Sequence, residues 1–366
     1  MDDASSGVFC SIGQPQAIMD ISSNKQRSTI LSVGPAVAAI AYPCPLFLFY
    51  ESARFFHTAN HVSDRAIALM TSAFSLSLAY AVPLFAFFAA LTIATRIQPT
   101  RDTQKALICA HLAATSPPLF TAIGVLCFLI HAPNADYIVW LFLWIPLAVF
   151  SARGIRRTVT LNRASADSVR LRMTHGISAL LILVVFLAGH MINHFVAIWN
   201  LNSDEEVMKA LRIIYRADWL EPGLIGLFVF QIVSGLLLLR SRMTKKTDLF
   251  GVLQTTSGMY LAAFLVSHMT AVFVLGRLVL KVDTNDAWAA GLPAGLVADL
   301  WNTRLIPHYS LAAFLLIAHV GCGLRGILLA HTWSLTNANR MTVAITVLGA
   351  VVATVIIVAM LGVHLA

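Results

Sequence analysis

The chain is expected to be an all-α polytopic membrane helix bundle of about nine transmembrane helices, eight plus a C-terminal anchor. Three observations predict this. Hydrophobic residues fill 58% of the 366 positions and charged residues only 11%, far too apolar for a soluble protein of this length. The apolar residues gather into uncharged runs of about 20 residues or more, enough to cross a bilayer as a helix. Strand-type alternation is absent, which argues against a membrane barrel.

Taken in order, residues 1–29 are polar and Ser-rich, with Asp2 and Asp3 at the start. They lack the basic start and apolar run of a secretory signal peptide and are expected to be a cytoplasmic tail. Candidate spans follow at 30–50, 66–95, 105–131 and 134–152, forming an N-terminal four-helix region over 30–152. A basic linker over 153–172 comes next, expected on the cytoplasmic side. Spans at 173–199, 219–240, 254–280 and 305–330 form a second four-helix region over 173–332, and a last span at 341–364 lies within 333–366. That last helix, rich in Val, Ala and Thr, reads as an accessory anchor. Between the fifth and sixth spans, Glu205 to Arg216 is amphipathic and expected to lie on the membrane surface.

Every second boundary is basic: Lys25 and Arg27; Arg96, Arg101 and Lys105; Arg153 to Arg172; Arg240 to Lys246; Arg325 and Arg340. The boundaries between them are mixed or acidic. The positive-inside rule then places the N-terminus in the cytoplasm, in what reads as a bacterial inner membrane. The net charge of +8 is topology-setting loop charge. No basic stripe with interleaved aromatics points to nucleic acid. The five cysteines form no Cys-x-x-Cys pair, which argues against zinc ribbons and iron–sulfur ligation, and no Cys-x-x-Cys-His would attach a haem covalently.

The chemistry lies in histidines. A short phrase recurs in three spans: Phe186-Leu-Ala-Gly-His190-Met, Phe264-Leu-Val-Ser-His268-Met and Leu316-Ile-Ala-His319-Val. An imidazole in hydrocarbon is costly and normally faces a partner, a cavity or a cofactor. The small residue beside it leaves room for something flat and large, and haem is the leading candidate. His190 and His268 fall on parallel helices at similar depth, which suits bis-histidine ligation of one haem in the outer half. In a second geometry, His308 and His319 share one face of the eighth span, eleven residues being close to three full turns. They would clamp two haems with His190 and His175, although His175 and His319 read as differing in depth. The competing reading of each histidine is an interhelical hydrogen bond. That reading is favoured for His111, a core polar residue, and for His175 and His308 at the interfaces. His57 and His61 read as a solvated helix end. His194, one turn beyond His190, is a candidate contact for a haem propionate or a quinone headgroup, or a snorkelling residue. Arg277 and Arg325 turn away from their histidines and read as topology anchors or as partners of another helix's cofactor.

The segment from Arg172 to about Arg325 resembles the membrane cytochrome b subunits of succinate dehydrogenases and fumarate reductases. The resemblance rests on Thr174-His175-Gly176 and the His190 phrase, on Ser257-Gly258 and the His268 phrase, and on Ala318-His319 with Gly326. It implies haem b held by His190 and His268, and His319 as one ligand of a second haem. In the dihaem members the other ligand would come from the sixth span, which offers Gln231 and Ser234-Gly235 but no histidine. His175 or His111 would have to replace it. The His190 to His194 phrase also resembles the membrane domains fused to some bacterial nucleotide cyclases. The expected function is transfer of electrons between a quinone and a separate partner subunit docked on the cytoplasmic side, with the protein supplying axial imidazoles and a dry site. A membrane haem or quinone sensor without turnover, a proton-coupled transporter and a cofactor-free structural protein remain the rivals.

Overall fold

The computed structural model describes residues 30–96, 100–152, 166–199, 201–243 and 245–365. The expected cytoplasmic tail with Cys10, and most of the expected basic linker with Arg153, Arg156, Arg157 and Arg163, lie outside the described residues.

All regular elements among the described residues are helical. The first two spans are α1 (Ile30–Thr58) and α2 (Val62–Arg96). Next come α3 (Arg101–Ala114) and α4 (Ser116–Leu129), bent by 68° at a short break. Thr100 starts α3 with a capping box, its hydroxyl accepting from the Thr103 N–H at 3.1 Å. Pro117 and Pro118 end its continuation, because neither has an N–H to donate into the preceding turn. α5 (Asp136–Ala152), α6 (Val169–Val196), the amphipathic α7 (Leu201–Tyr215) and α8 (Glu221–Arg242) follow. Then come α9 (Leu249–Leu280), three single-turn helices within residues 286–303, α10 (Leu305–Ala330) and α11 (Leu335–Met360).

Polar ties at the helix ends show that the bent α3–α4 pair crosses the bundle as one span. At one end, the Thr247 N–H bonds the Ala94 carbonyl and Arg325 pairs with Asp248 at 2.6 Å. α2 therefore finishes beside the start of α9. At the other end, Arg304 pairs with Asp136 at 2.8 Å, both nearly fully buried. The chain enters α3 at the Asp248 end and leaves α4 at the Asp136 end. With the pair counted as one span, the described residues provide nine, as composition predicts.

The two four-helix regions read from the sequence are not separate bodies. α9 packs against α2, α3 and α4 as well as against α8 and α10. In the first region, Tyr42, Phe120, Trp140 and Trp144 form a fully buried aromatic core, with the Trp140 indole N–H donating to the Ala39 carbonyl at 2.8 Å. α11 is more than an appended anchor, for it packs along α10. A Cβ on Gly321 would come within 2.9 Å of Ile345, and one on Gly349 within 3.0 Å of Ile317. Glycines at such places let two membrane helices approach closely.

Candidate functional site

The three histidine phrases fold into two different kinds of site. In the first two, the phenylalanine stands four residues before the histidine, one turn away on the same helix face. Phe186 stacks on His190 with ring centroids 4.9 Å apart and planes 20° from parallel. Phe264 stacks on His268 at 5.2 Å and 11°. The repeated spelling thus encodes a phenyl plate that sets the imidazole plane. His190 and His268 face each other with centroids 6.2 Å apart and planes inclined by 59°. Phe228 and Tyr215 close the other side of Phe186, both edge-on.

His319 has no such plate. Its Nδ1 lies 3.0 Å from Ser257 Oγ on α9. On α6, His175 Nδ1 lies 2.7 Å from Ser234 Oγ on α8. Each hydroxyl donates its own proton to a carbonyl of its helix, Ser234 to Phe230 and Ser257 to Gln254. Where a serine so engaged accepts the Nδ1–H of its histidine, that histidine's Nε2 carries the lone pair. Each serine is followed by a glycine beside the imidazole. A Cβ on Gly235 would stand 3.5 Å from His175 Cε1, and one on Gly258 only 3.1 Å from His319 Cε1. Two Ser-Gly pairs on adjacent helices thus cradle two histidines in the same way.

His175 and His319 lie within electrostatic reach of one another. α6 also departs from an ideal helix between His175 and His190. Residues Leu183–Leu187, between His175 and His190, form a π-helical turn. A π turn spends more residues per turn, so it removes much of the ~60° offset that an ideal α-helix would put between these histidines. A second π stretch, Thr270–Leu280, begins two residues after His268. Both π segments therefore adjoin a histidine of the upper pair, a placement frequent at functional sites.

α6 packs along α8 and, toward the Asp136 end, against α7 and α11, but it makes no extensive backbone contact with α9 or α10. His175, His190, His268 and His319 are each partly exposed. The other histidines differ. His111 is 2% exposed, with its Nδ1 2.9 Å from Thr256 Oγ1, and fits the core-polar reading. His308 is 1% exposed, lies behind Phe264 at 4.7 Å between ring centroids, and does not meet His190. Gln231 donates to the His175 carbonyl and to Ser178 Oγ at 2.9 and 2.7 Å, pinning α8 to α6 and bordering no ligand position.

Toward the Asp136 end, His194 stands 4.6 Å from the His190 ring and pairs with Asp286 at 2.6 Å. A cluster of cations lies nearby: Arg212 pairs with Asp283, Arg277 with Glu221, and Arg216 bonds Thr284 Oγ1 at 3.3 Å. Burial, then the charges of Arg212 and Arg277, hold Arg216 below the usual arginine range. Arg216 follows Tyr215, whose ring meets Phe186. Sequence reasoning passed over it, because nothing in its local pattern marks a charge brought back over another helix. Arg325 bonds Asp248 and Asn339, as expected of an anchor.

Among the described residues, no group of three or more His, Cys, Asp or Glu side chains is placed to hold a bare metal ion. The arrangement offers pairs, which suits a metal whose other ligands come with it. No protein-family model, curated protein or solved structure matches the chain.

Proposed function

We propose that the protein is a b-type, haem-binding integral membrane protein that passes electrons between a quinone and a partner protein. His190 and His268 would hold one haem, and His175 and His319 a second. The observation carrying this reading is the facing of His190 and His268 with ring centroids 6.2 Å apart, beside His175 and His319 each bonded through Nδ1 to a serine hydroxyl. His190 and His268, with ring centroids 6.2 Å apart, are close enough that both would hold one haem. Second-shell acceptors on Nδ1 fix the tautomer and raise the basicity of a ligating histidine. Glycine beside His175 and His319 lets each imidazole pack against the neighbouring helix.

When bound, haem supplies one-electron redox chemistry. The chain does the rest. Phe186 and Phe264 hold the upper imidazoles in plane, and Ser234 and Ser257 hold the lower ones. The apolar helices exclude water. Arg216, whose neighbouring Asp283 is paired with Arg212, is placed to receive a propionate in a charge-assisted pair. His175 and His190 are fifteen residues apart on α6, a rise of about 22 Å, so the two sites together span most of the bilayer core of about 30 Å.

The basic boundaries at Arg96–Lys105, Arg240–Lys246 and Arg325–Arg340 gather at the Asp248 end. By the positive-inside rule that end is cytoplasmic, which puts His190 and His268 in the outer half, the N-terminus inside and the partner's docking face on the Asp248 side. A bacterial inner membrane suits this arrangement. The line from His190 through His194 to Asp286 favours one other reading, a proton-coupled transporter, because it joins a buried imidazole to an outer carboxylate.

Reduced-minus-oxidised visible spectra of the purified protein and its variants separate the two. We expect a low-spin b-type signal, reduced by about half in either His190→Ala or His319→Ala and lost when both are changed. A well-folded preparation without any such signal contradicts the proposal and leaves the proton relay standing.

A further inference from the structure

The plane of a histidine imidazole is soft. Its χ2 is a torsion between sp³ and sp² carbons with broad minima, so neighbouring rings, not the rotamer, decide how the plane lies. At His190 and His268 those neighbours are laid out alike on two different helices, α6 and α9. Each imidazole has a phenyl ring nearly parallel to it, Phe186 at 20° and Phe264 at 11°. Each also has a second ring edge-on to it, His194 against His190 at 84° and Tyr309 against His268 at 86°. The phenyl rings are braced in turn. Tyr215 of α7 and Phe228 of α8 meet Phe186 edge-on at 85° and 86°, and Tyr309 meets Phe264 at 77°. Stacked and edge-on contacts of this kind are the arrangements that aromatic quadrupoles favour. The two imidazole planes, each set by rings of its own surroundings, end 59° apart.

We propose that Phe186 and Phe264 are positioning residues that hold His190 and His268 in crossed planes, and so set the electronic state of a haem iron held by the pair. The proposal rests on the haem reading and goes beyond it, because ligation alone leaves the mutual angle of the two rings free. An imidazole donates π density from the orbitals perpendicular to its ring into one dπ orbital of a low-spin ferric iron. Parallel imidazoles feed the same dπ orbital and separate the pair in energy. Crossed imidazoles feed one each and leave the pair nearly degenerate. The inclination of 59° lies nearer to crossed than to parallel. A nearly degenerate pair gives a strongly anisotropic electron paramagnetic resonance signal with one large g value. A separated pair gives a rhombic signal with three resolved g values. Axial ligation is one of the levers by which a protein tunes a haem, and here two phenylalanines would work that lever through the rings they stack on.

The test is low-temperature electron paramagnetic resonance of the oxidised full-length protein in detergent, read beside its visible spectrum. The signal lost in His190→Ala belongs to the upper haem, and it should be the strongly anisotropic kind. Phe186→Leu and Phe264→Leu each remove a flat ring and keep an apolar side chain. Each should move that signal toward the rhombic form while the visible spectrum stays low-spin. Phe186→Tyr and Phe264→Tyr keep the ring and should keep the wild-type signal. A role in packing alone would lower stability without moving the g values. Should one leucine variant fail to fold, the other variant and the wild-type line shape carry the test. A rhombic wild-type signal, or leucine variants whose signal matches wild type, overturns the proposal and leaves the haem reading intact. Folded wild-type protein without a haem spectrum overturns both, as does a haem signal that His190→Ala leaves untouched.

Discussion

Gly258 and Gly235 occupy equivalent places beside His319 and His175, but at different distances. A methyl on Gly258 would stand 3.1 Å from His319, tighter than ordinary packing, whereas one on Gly235 meets His175 at 3.5 Å, normal van der Waals contact. Gly258→Ala should therefore displace its imidazole and shift or weaken the inner haem signal, while Gly235→Ala should leave it nearly unchanged. Potentiometric titration of both variants checks this. Equal effects would show that the closer approach at Gly258 makes no difference to its imidazole. At this scale much of the candidate site was legible: the repeated phrase picked out His190, His268 and His319. The partners were not. Ser234 and Ser257 are unremarkable as residues, and only the approach of other helices makes them acceptors. His175 was read as an interfacial residue, and its bond to Ser234 becomes visible only once α8 packs on α6.

The π turns and the glycine-mediated helix pair belong to the scale of elements. Hydropathy located every span, because burial in hydrocarbon demands an uncharged run wherever the helix crosses. It could not show that α6 and α9 widen into π turns beside His190 and His268, since that depends on how each helix relieves its packing. The span read as 105–131 is instead bent by 68° just before Pro117 and Pro118. α11 was read as an accessory because a Val, Ala and Thr helix has no partner signal of its own, yet Gly321 and Gly349 bring it tightly onto α10. Gly321→Val would press on Ile345, 2.9 Å from the added Cβ. Overpacking of this kind costs about 1–3 kcal/mol, so we expect a lower thermal midpoint in detergent. An unchanged midpoint would mean the two helices separate freely.

For the molecule as a whole, the N-terminal and histidine-bearing regions are joined where Arg304 meets Asp136. Arg304 also lies over Phe120 at 4.4 Å, inside the aromatic core of the first region. Both charges are almost fully buried. Removing one partner strands the other, at a cost of about 3–5 kcal/mol, whereas replacing both by apolar residues often costs little. Asp136→Asn should therefore destabilise strongly in thermal melts, and the Asp136→Leu, Arg304→Met pair much less. If the double variant is the worse of the two, the pair does more than join the regions. The division into two four-helix regions was a reading of loop charge. Loop charge records which loops stay inside, not which helices touch, and α9 turns out to serve both regions. Haem stoichiometry, measured as pyridine haemochrome against protein mass, tests the central claim most directly. Two haems per chain are predicted. One haem would remove the inner site at His175 and His319, and none in a folded protein would contradict the account.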